Sequence, residues 1–386
     1  MLRVLGTPAT LQRQMLRQAE ADLGIRIRYI VRDGTSVQRT GVMQPDAYDV
    51  YDQWFHSIDC LWPAHAIQPI NLSRIKYWAE VNSLPRTGKL GESLFPNAGS
   101  APADRLYVQG DNSLGREPTG RVTMLPTVHN VDSFVYLPDA LPNGFEPNRE
   151  SWDWLLNPAL SGKVALQADA AIGAIDAALA VQASGQMSFG DIGNMTITEI
   201  NCLIDILISY KRRGQFAGFW SSFAEAAHLM TEGKVVIQSV WEPIRVELKR
   251  AGLPFRLATP IEGYRGWYGG LSISRAAAGR QLDVAYDYLN WWLSGWAGAS
   301  MARQGFYISN PDRSRDFLTE DEWDYWYDGR AAQTVLPGPN NRPLISINEQ
   351  RNGGSYATRM SRVAVWNSMM DEHNYLVRRW NEFMNA

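Results

Sequence analysis

Cysteine is scarce in this chain and long apolar runs are missing, and each absence removes a class of protein. Among 386 residues only Cys60 and Cys202 are cysteine. They lie far apart with no metal-ligand spacing, so a disulfide scaffold or a local zinc site has no support. Two unpaired, buried thiols are expected. No apolar stretch approaches the roughly 20 residues that a membrane-spanning helix requires. No signal-peptide pattern precedes the strand-like run at residues 2–5, which fits a cytoplasmic protein or a mature exported one cloned without its leader. The five histidines show no His-x-x-x-His or His-x-His spacing. Phosphate-loop and Gly-x-Ser-x-Gly patterns are missing too, and Gly263, Gly266, Gly269 and Gly270 do not make a dinucleotide fingerprint. The reading is therefore no metal, no cofactor and no catalytic residue, although scattered carboxylates that converge in space stay open. A net charge of −3 and a pI near 6.0 give no electrostatic case for nucleic acid.

Aromatic residues, by contrast, are abundant: 15 Trp, 16 Tyr and 12 Phe. Such a content fits proteins that grip organic ligands, and it also fits well-filled cores. The length points to two domains.

The chain opens as a parallel α/β sheet does. Residues 2–5 are apolar, residues 11–23 repeat with a helical period stopped by Gly24, and residues 25–31 alternate as a strand. Residues 48–51 read as the next strand and run into the aromatic stretch 52–57. Residues 86–120 read as surface loop. The extended run 121–128 is interrupted by His129-Asn130 and resumes over 131–136, a place for a crossing between domains. Residues 151–156 read as a short helix. The strand 164–166 leads to Asp169, placed to cap an Ala-rich helix. Helices are expected at 197–213, 219–232 and 282–304, with Trp291, Trp292 and Trp296 of the last as packing residues. A return crossing is expected at 254–260. Residues 310–352 are polar, and 359–384 read as one long helix or two.

Two stretches carry the binding chemistry. Residues 235–240 read as a buried strand that ends at Trp241 and Glu242; residues 266–274 set Trp267 and Tyr268 before a Gly pair. In open α/β folds ligands collect where strand ends meet loops. An indole beside a carboxylate can hold an organic cation by cation–π attraction and ion pairing. The competing reading makes both Trp ordinary packing residues.

The order of these segments resembles the extracellular solute-binding proteins of ABC importers, in particular the polyamine (spermidine/putrescine)-binding branch. The resemblance rests on Tyr48-Asp-Val-Tyr51, Ser151-Trp-Asp-Trp-Leu-Leu-Asn-Pro-Ala-Leu-Ser-Gly-Lys163, Gly233-Lys-Val-Val-Ile-Gln-Ser-Val-Trp241, Gly266-Trp-Tyr-Gly-Gly-Leu-Ser-Ile273 and Gly305-Phe-Tyr-Ile-Ser-Asn310. It covers nearly the whole chain. It implies a two-lobed, periplasmic-binding-protein-like (type II) α/β fold with two crossing hinge strands, near 126–130 and 258–264, and a C-terminal helical segment. Lobe 1 would take residues 1–128 and 259–310, lobe 2 residues 129–258, and the closing segment 311–386 would pack mainly on lobe 2. The resemblance also implies a periplasmic monomer that captures a small molecule between its lobes and delivers it to the transmembrane subunits of an ABC permease, with no chemistry performed.

Carried over residue by residue, the resemblance places Trp241 and Trp267 where indoles line the family's cleft and Asp169 where an acid meets an amine. Phe306 stands where the family often has Tyr, and Trp54, Phe55 and His56 fall on a loop of polar and aromatic contacts. His129, Asp132, Glu242 and Tyr268 complete the candidate set. Two acids expected from the family are replaced, by Ile172 and Gly269. An unpaired buried ammonium costs several kcal/mol, so Glu242, Asp132 or Asp52 would have to compensate if the ligand is an organic amine of the polyamine kind. The alternatives are a quaternary ammonium or aromatic compound, an amine-bearing carboxylate such as an opine or amino-acid derivative met by His56, His129 or Arg245, and an enzyme using the same cleft.

Overall fold

The alternation at the start of the chain becomes a βαβ unit. Strands Leu2–Gly6 and Ile27–Val31 pair in parallel, joined by helix Arg13–Leu23. Gly24 ends that helix at φ 64°, where its N–H reaches the Glu20 carbonyl, a backbone shape that suits glycine. The computed structural model describes residues 1–91, 93–94 and 101–386. By its contacts the chain forms two units, one from the described residues of 1–130 with 267–349, the other from 131–266 with 350–386.

In the first unit the main sheet runs in the order Tyr307–Ile308, Leu125–Asp132, Tyr264–Ser274, Val50–Trp54, Leu2–Gly6, Ile27–Val31. The third strand of the sequence begins at Val50 rather than at residue 48. Tyr48 turns inward to donate to the Gly41 carbonyl (2.8 Å), and the Asp49 carboxylate takes the Arg3 N–H (2.8 Å). Nor do His129 and Asn130 break the strand Leu125–Asp132. Asn130 Nδ2 donates to the Gly305 carbonyl at 3.0 Å, so its polar group is satisfied without leaving the sheet. Tyr264–Ser274 is buried along its whole length, and a Cβ at Gly270 would run into the Leu125 carbonyl. Part of the stretch expected as loop at 86–120 is instead a small antiparallel sheet, in the order Ile70–Asn71, Arg121–Val122, Tyr107–Val108, Leu114–Gly115. Leu106 and Val108 are its buried anchors. Residue 92 and residues 95–100 of that stretch lie outside the described residues. The expected helix 282–304 is two, Gly279–Trp292 and Trp296–Ala302, separated by Gly295 at φ 118°.

The second unit has a sheet in the order Phe216–Trp220, Val164–Gln167, Ile237–Ser239, Phe134–Tyr136, Arg256–Leu257. Phe219 and Trp220, expected to begin the helix 219–232, instead end the strand Phe216–Trp220. This strand pairs in parallel with Val164–Gln167, and the helix Phe223–Thr231 starts only after Ser222, whose side chain accepts from the Glu225 N–H. Helix Ala170–Ala183 is buried on nearly every side, as its run of Ala and Ile requires. Residues 359–384 are not purely helical. Val363–Trp366 is a strand parallel to Tyr264–Gly266, and only His373–Asn385 is a long helix. Cys202, on helix Ile197–Arg212, is exposed rather than buried.

The division by contacts falls at other places than those expected. Residues 259–266 stay with the second unit, because Tyr264–Gly266 pairs with Val363–Trp366. Residues 311–349 belong to the first, held by Arg303 on Glu322 (2.6 Å) and by the Tyr327 hydroxyl on the Ile308 N–H (3.2 Å). The chain thus passes between units after Asn130, after Gly266 and after Glu349.

Candidate functional site

Seven of the expected residues lie in the first unit. Trp54 ends its strand opposite Gly269, and the turn Phe55–Ser57 follows, tied back by Ser57 Oγ on the Trp54 carbonyl at 2.6 Å. The Trp54 and His56 rings stack at 6.1 Å; Phe55 and His56 are buried. Side chains alternate along a strand, so Trp267 and Tyr268 point to opposite faces and only one of them can meet a given ligand. Trp267 lies edge-on to Phe306 at 5.7 Å. Tyr268 instead stacks on His129, with centroids 4.5 Å apart and planes within 9°, and its hydroxyl lies 2.9 Å from Ser309 Oγ. Trp267 is moreover in the middle of its strand and not at its end.

Three features change the expected chemistry of this unit. At Gly269, where the resemblance expects an acid, a side chain would start 3.2 Å from a Val128 methyl, a tight fit, and 3.6 Å from the Trp267 ring, an ordinary contact. Burial holds the His129 pKa down at about 3, which leaves a neutral ring at neutral pH and no cation for a carboxylate. Asp52, opposite Gly6 and Leu271, is moved the other way. Burial raises it to about 7 against a hydrogen bond with Thr10. Near neutrality it is a partly protonated acid and a poor partner for an ammonium.

The other four expected residues lie in the second unit. Asp169 caps the helix Ala170–Ala183, accepting from the Ala171 N–H at 2.9 Å. The adjacent Ala168 carbonyl accepts from Trp380 Nε1 at 2.9 Å. Ile172 is fully buried. Trp241 is half-buried, edge-on to Trp220 at 5.5 Å and to Phe223 at 5.3 Å. Glu242 is buried and engaged with three guanidiniums. Arg351 grips it with both arms of its fork, Nε to Oε1 at 3.1 Å and Nη2 to Oε2 at 3.0 Å; Arg359 approaches at 2.5 Å and Arg245 at 3.5 Å. Burial pushes the Glu242 pKa up, but Arg351, Arg359 and Arg245 overrule it and hold it at about 2. Asp132 accepts the Glu242 backbone N–H at 3.0 Å and lies 3.9 Å from Arg265, which pairs with Asp176 at 2.7 Å.

Glu242 had been read as a carboxylate for a ligand cation, and Arg245 as a contact for a ligand carboxylate. The structure brings these two together with each other. Arg265, Asp176, Arg351 and Arg359 were not anticipated. Arg265 left one trace in the sequence, a charge next to an otherwise uncharged run at 266–274. The C-terminal arginines left none, since their partner is more than a hundred residues away. Among the described residues no group of His, Cys, Asp and Glu gathers to hold a metal ion, and no helix is long and apolar enough to cross a membrane.

The family model described as bacterial extracellular solute-binding protein matches residues 66–327, well over half of the chain. Curated protein sequences give no match. Solved structures do. The Tp0655 (TpPotD) lipoprotein of Treponema pallidum aligns with a TM-score of 0.68 at 10% identity, over 100% of this chain and 99% of that one. The spermidine/putrescine ABC transporter substrate-binding protein PotD of Streptococcus pneumoniae aligns at 0.62 and 13%, over 99% of both chains. AgtB of A. tumefaciens R10, in complex with agropinic acid, aligns at 0.63 and 13%, over 100% of this chain and 98% of that one. At such identities the likeness carries the fold, a periplasmic-binding-protein-like one, and leaves the cargo open.

Proposed function

The chain belongs to the family of bacterial extracellular solute-binding proteins, and from that premise we propose that it captures a small amine-bearing carboxylate in the periplasm and delivers it, unchanged and as a monomer, to the permease of an ABC importer. The observation that carries the choice of solute is the state of Glu242. A carboxylate already gripped by Arg351, Arg359 and Arg245 has its charge spoken for. Asp132 is likewise engaged, Asp52 is partly protonated near neutral pH, and the two acids expected from the resemblance are Ile172 and Gly269. Asp169, the acid that the resemblance assigns to an amine, would meet one ammonium, where a diamine or triamine needs two or more. Trp241, beside Glu242 and half-buried, supplies an indole for the organic part of the solute.

The test is a thermal-shift panel on protein unfolded and refolded to strip bound solute, covering polyamines, quaternary amines, amino acids, opines and aromatic acids. A ligand at 100 times its dissociation constant adds about 2.7 kcal/mol of stability. The expected result is a shift with amine-bearing carboxylates, recovered intact, and none with putrescine or spermidine. A shift confined to polyamines overturns the choice of solute; turnover of the bound compound overturns the transport reading. Trp241→Ala should weaken binding of the hit by about 1–2 kcal/mol, and unchanged affinity in folded protein removes Trp241 from the site.

A further inference from the structure

The three places where the chain enters or leaves the second unit share one property. Just inside each stands a member of the same buried polar network: Asp132 after Asn130, Arg265 before Trp267, and Arg351 after Glu349. Arg359 extends it, with Nη2 donating to both the Glu242 carboxylate (2.5 Å) and the Val131 carbonyl (3.2 Å), and Nη1 to the Asn352 carbonyl (2.6 Å). On either side of Trp241 the backbone is tied to the same stretch, since Val240 N–H reaches the Ser133 carbonyl and Glu242 N–H reaches Asp132, both at 3.0 Å.

We propose that Glu242 is a positioning residue for Trp241, and that the C-terminal segment 350–386 supports the ligand-contacting residues of the second unit through it. A planar, two-armed guanidinium–carboxylate contact fixes direction as well as distance. A buried carboxylate is free to sit only where its guanidiniums are, because leaving them exposes an uncompensated charge to a poor solvent. Arg351 and Arg359 therefore dictate where Glu242 lies, and the residue before it inherits that position. The indole of Trp241 is then seated on Trp220 and Phe223. The same segment reaches the other candidate contact: Trp380 holds the Ala168 carbonyl next to Asp169, and its ring fills the space beside Gly173, where a Cβ would meet it at 2.7 Å. The inference takes Trp241 as a ligand contact from the proposed function above, but the seating of the indole is a property of the ligand-free protein.

Fluorotryptophan incorporated throughout the full chain gives a fluorine NMR resonance for Trp241, assigned by its loss in Trp241→Phe. In ligand-free protein, Glu242→Gln should shift and broaden that resonance. So should Arg359→Lys, to a lesser degree, because it keeps the charge but loses the fork; this variant carries the test if Glu242→Gln does not fold. A core variant away from the network, Trp154→Phe, should leave the Trp241 resonance in place whatever it does to stability. With a compound that binds the wild type, Glu242→Gln should also weaken affinity by roughly tenfold, about 1.4 kcal/mol. An unmoved Trp241 resonance in the folded variants overturns the proposal, even if affinity falls. If no compound in the panel binds the wild type, it is the proposed solute that fails, and the resonance still decides the positioning.

Discussion

In the first unit His129 lies flat against Tyr268 at 4.5 Å, fully buried, with its pKa lowered to about 3; in the second, Glu242 is as deeply buried and stands within 3.5 Å of three guanidiniums, with its pKa lowered to about 2. For the base, a lowered pKa means that burial has won and the ring is neutral. For the acid it means that burial has lost and the charge is kept. The contrast shows two ways of fixing a side chain in an interior. Rings are held by shape, which tolerates repacking, whereas the ions are held by partners, which does not tolerate the loss of one. The expected cleft chemistry of aromatic faces with acids between them is thus divided, and Glu242, which keeps its charge, serves the protein's own arginines.

The most severe way to break this contrast is to remove one ion and leave the other. Arg265→Ala strands Asp176, which burial already pushes upward, and should cost about 3–5 kcal/mol in urea unfolding. Replacing both, as Arg265→Met with Asp176→Leu, should recover most of that loss, since well-packed apolar pairs often match buried ion pairs. A single-variant loss below about 1 kcal/mol would mean that the pair is no more than the equivalent of a surface bridge. In that case the two units do not differ in the way described.

A smaller effect separates the units by pH. The folded pKa of Glu242 is below its ordinary 4.5, so its contribution is present above about 4.5 and is lost as pH falls toward 2. His129 is a base with a lowered folded pKa. Unfolding takes up a proton below 6.5, so its share of stability is lost as pH falls from 6.5 toward 3. Asp52 runs opposite: raised from 3.8 to about 7, it costs stability as pH rises through that interval. Between pH 7 and 5 the stability slope should therefore belong to the first unit. His129→Gln should remove the downward part and Asp52→Asn should raise stability at pH 8, each by on the order of 2 kcal/mol. A slope in that range unchanged by either variant would show that neither group is buried as described.

What the sequence made legible was local. The opening βαβ unit, the cap at Asp169 and the helix Ile197–Arg212 are each signalled within a few residues by period, stop residue or capping side chain. Errors arose where a distant partner decides the structure. Phe219 and Trp220 read as helix until Leu166 and Gln167 lie beside them, and Val363–Trp366 until Tyr264–Gly266 does. His129-Asn130 looks like a polar break because its compensations, Tyr268 and the Gly305 carbonyl, are far away in sequence. The candidate aromatic residues could be picked out by composition and by the family pattern. The state of Glu242 could not, because two of its three arginines come from the last forty residues.

The finest distinction concerns Asp169, for which a structural role and a ligand-binding role can be told apart. Its carboxylate caps a helix whose first turn has no other acid, accepting from Ala171 at 2.9 Å. Asp169→Ala should cost about 1 kcal/mol, the usual loss of such a cap. Asp169→Asn should cost only a few tenths, since asparagine caps as well as aspartate does. Stability thus reads the cap, while affinity reads the charge. If Asp169 meets the solute's ammonium, Asp169→Asn leaves the melting curve of the ligand-free protein in place and weakens binding as much as Asp169→Ala does. If only the alanine variant loses affinity, the residue acts by holding the helix end, and the second unit meets its solute through the Trp241 indole without a charge of its own.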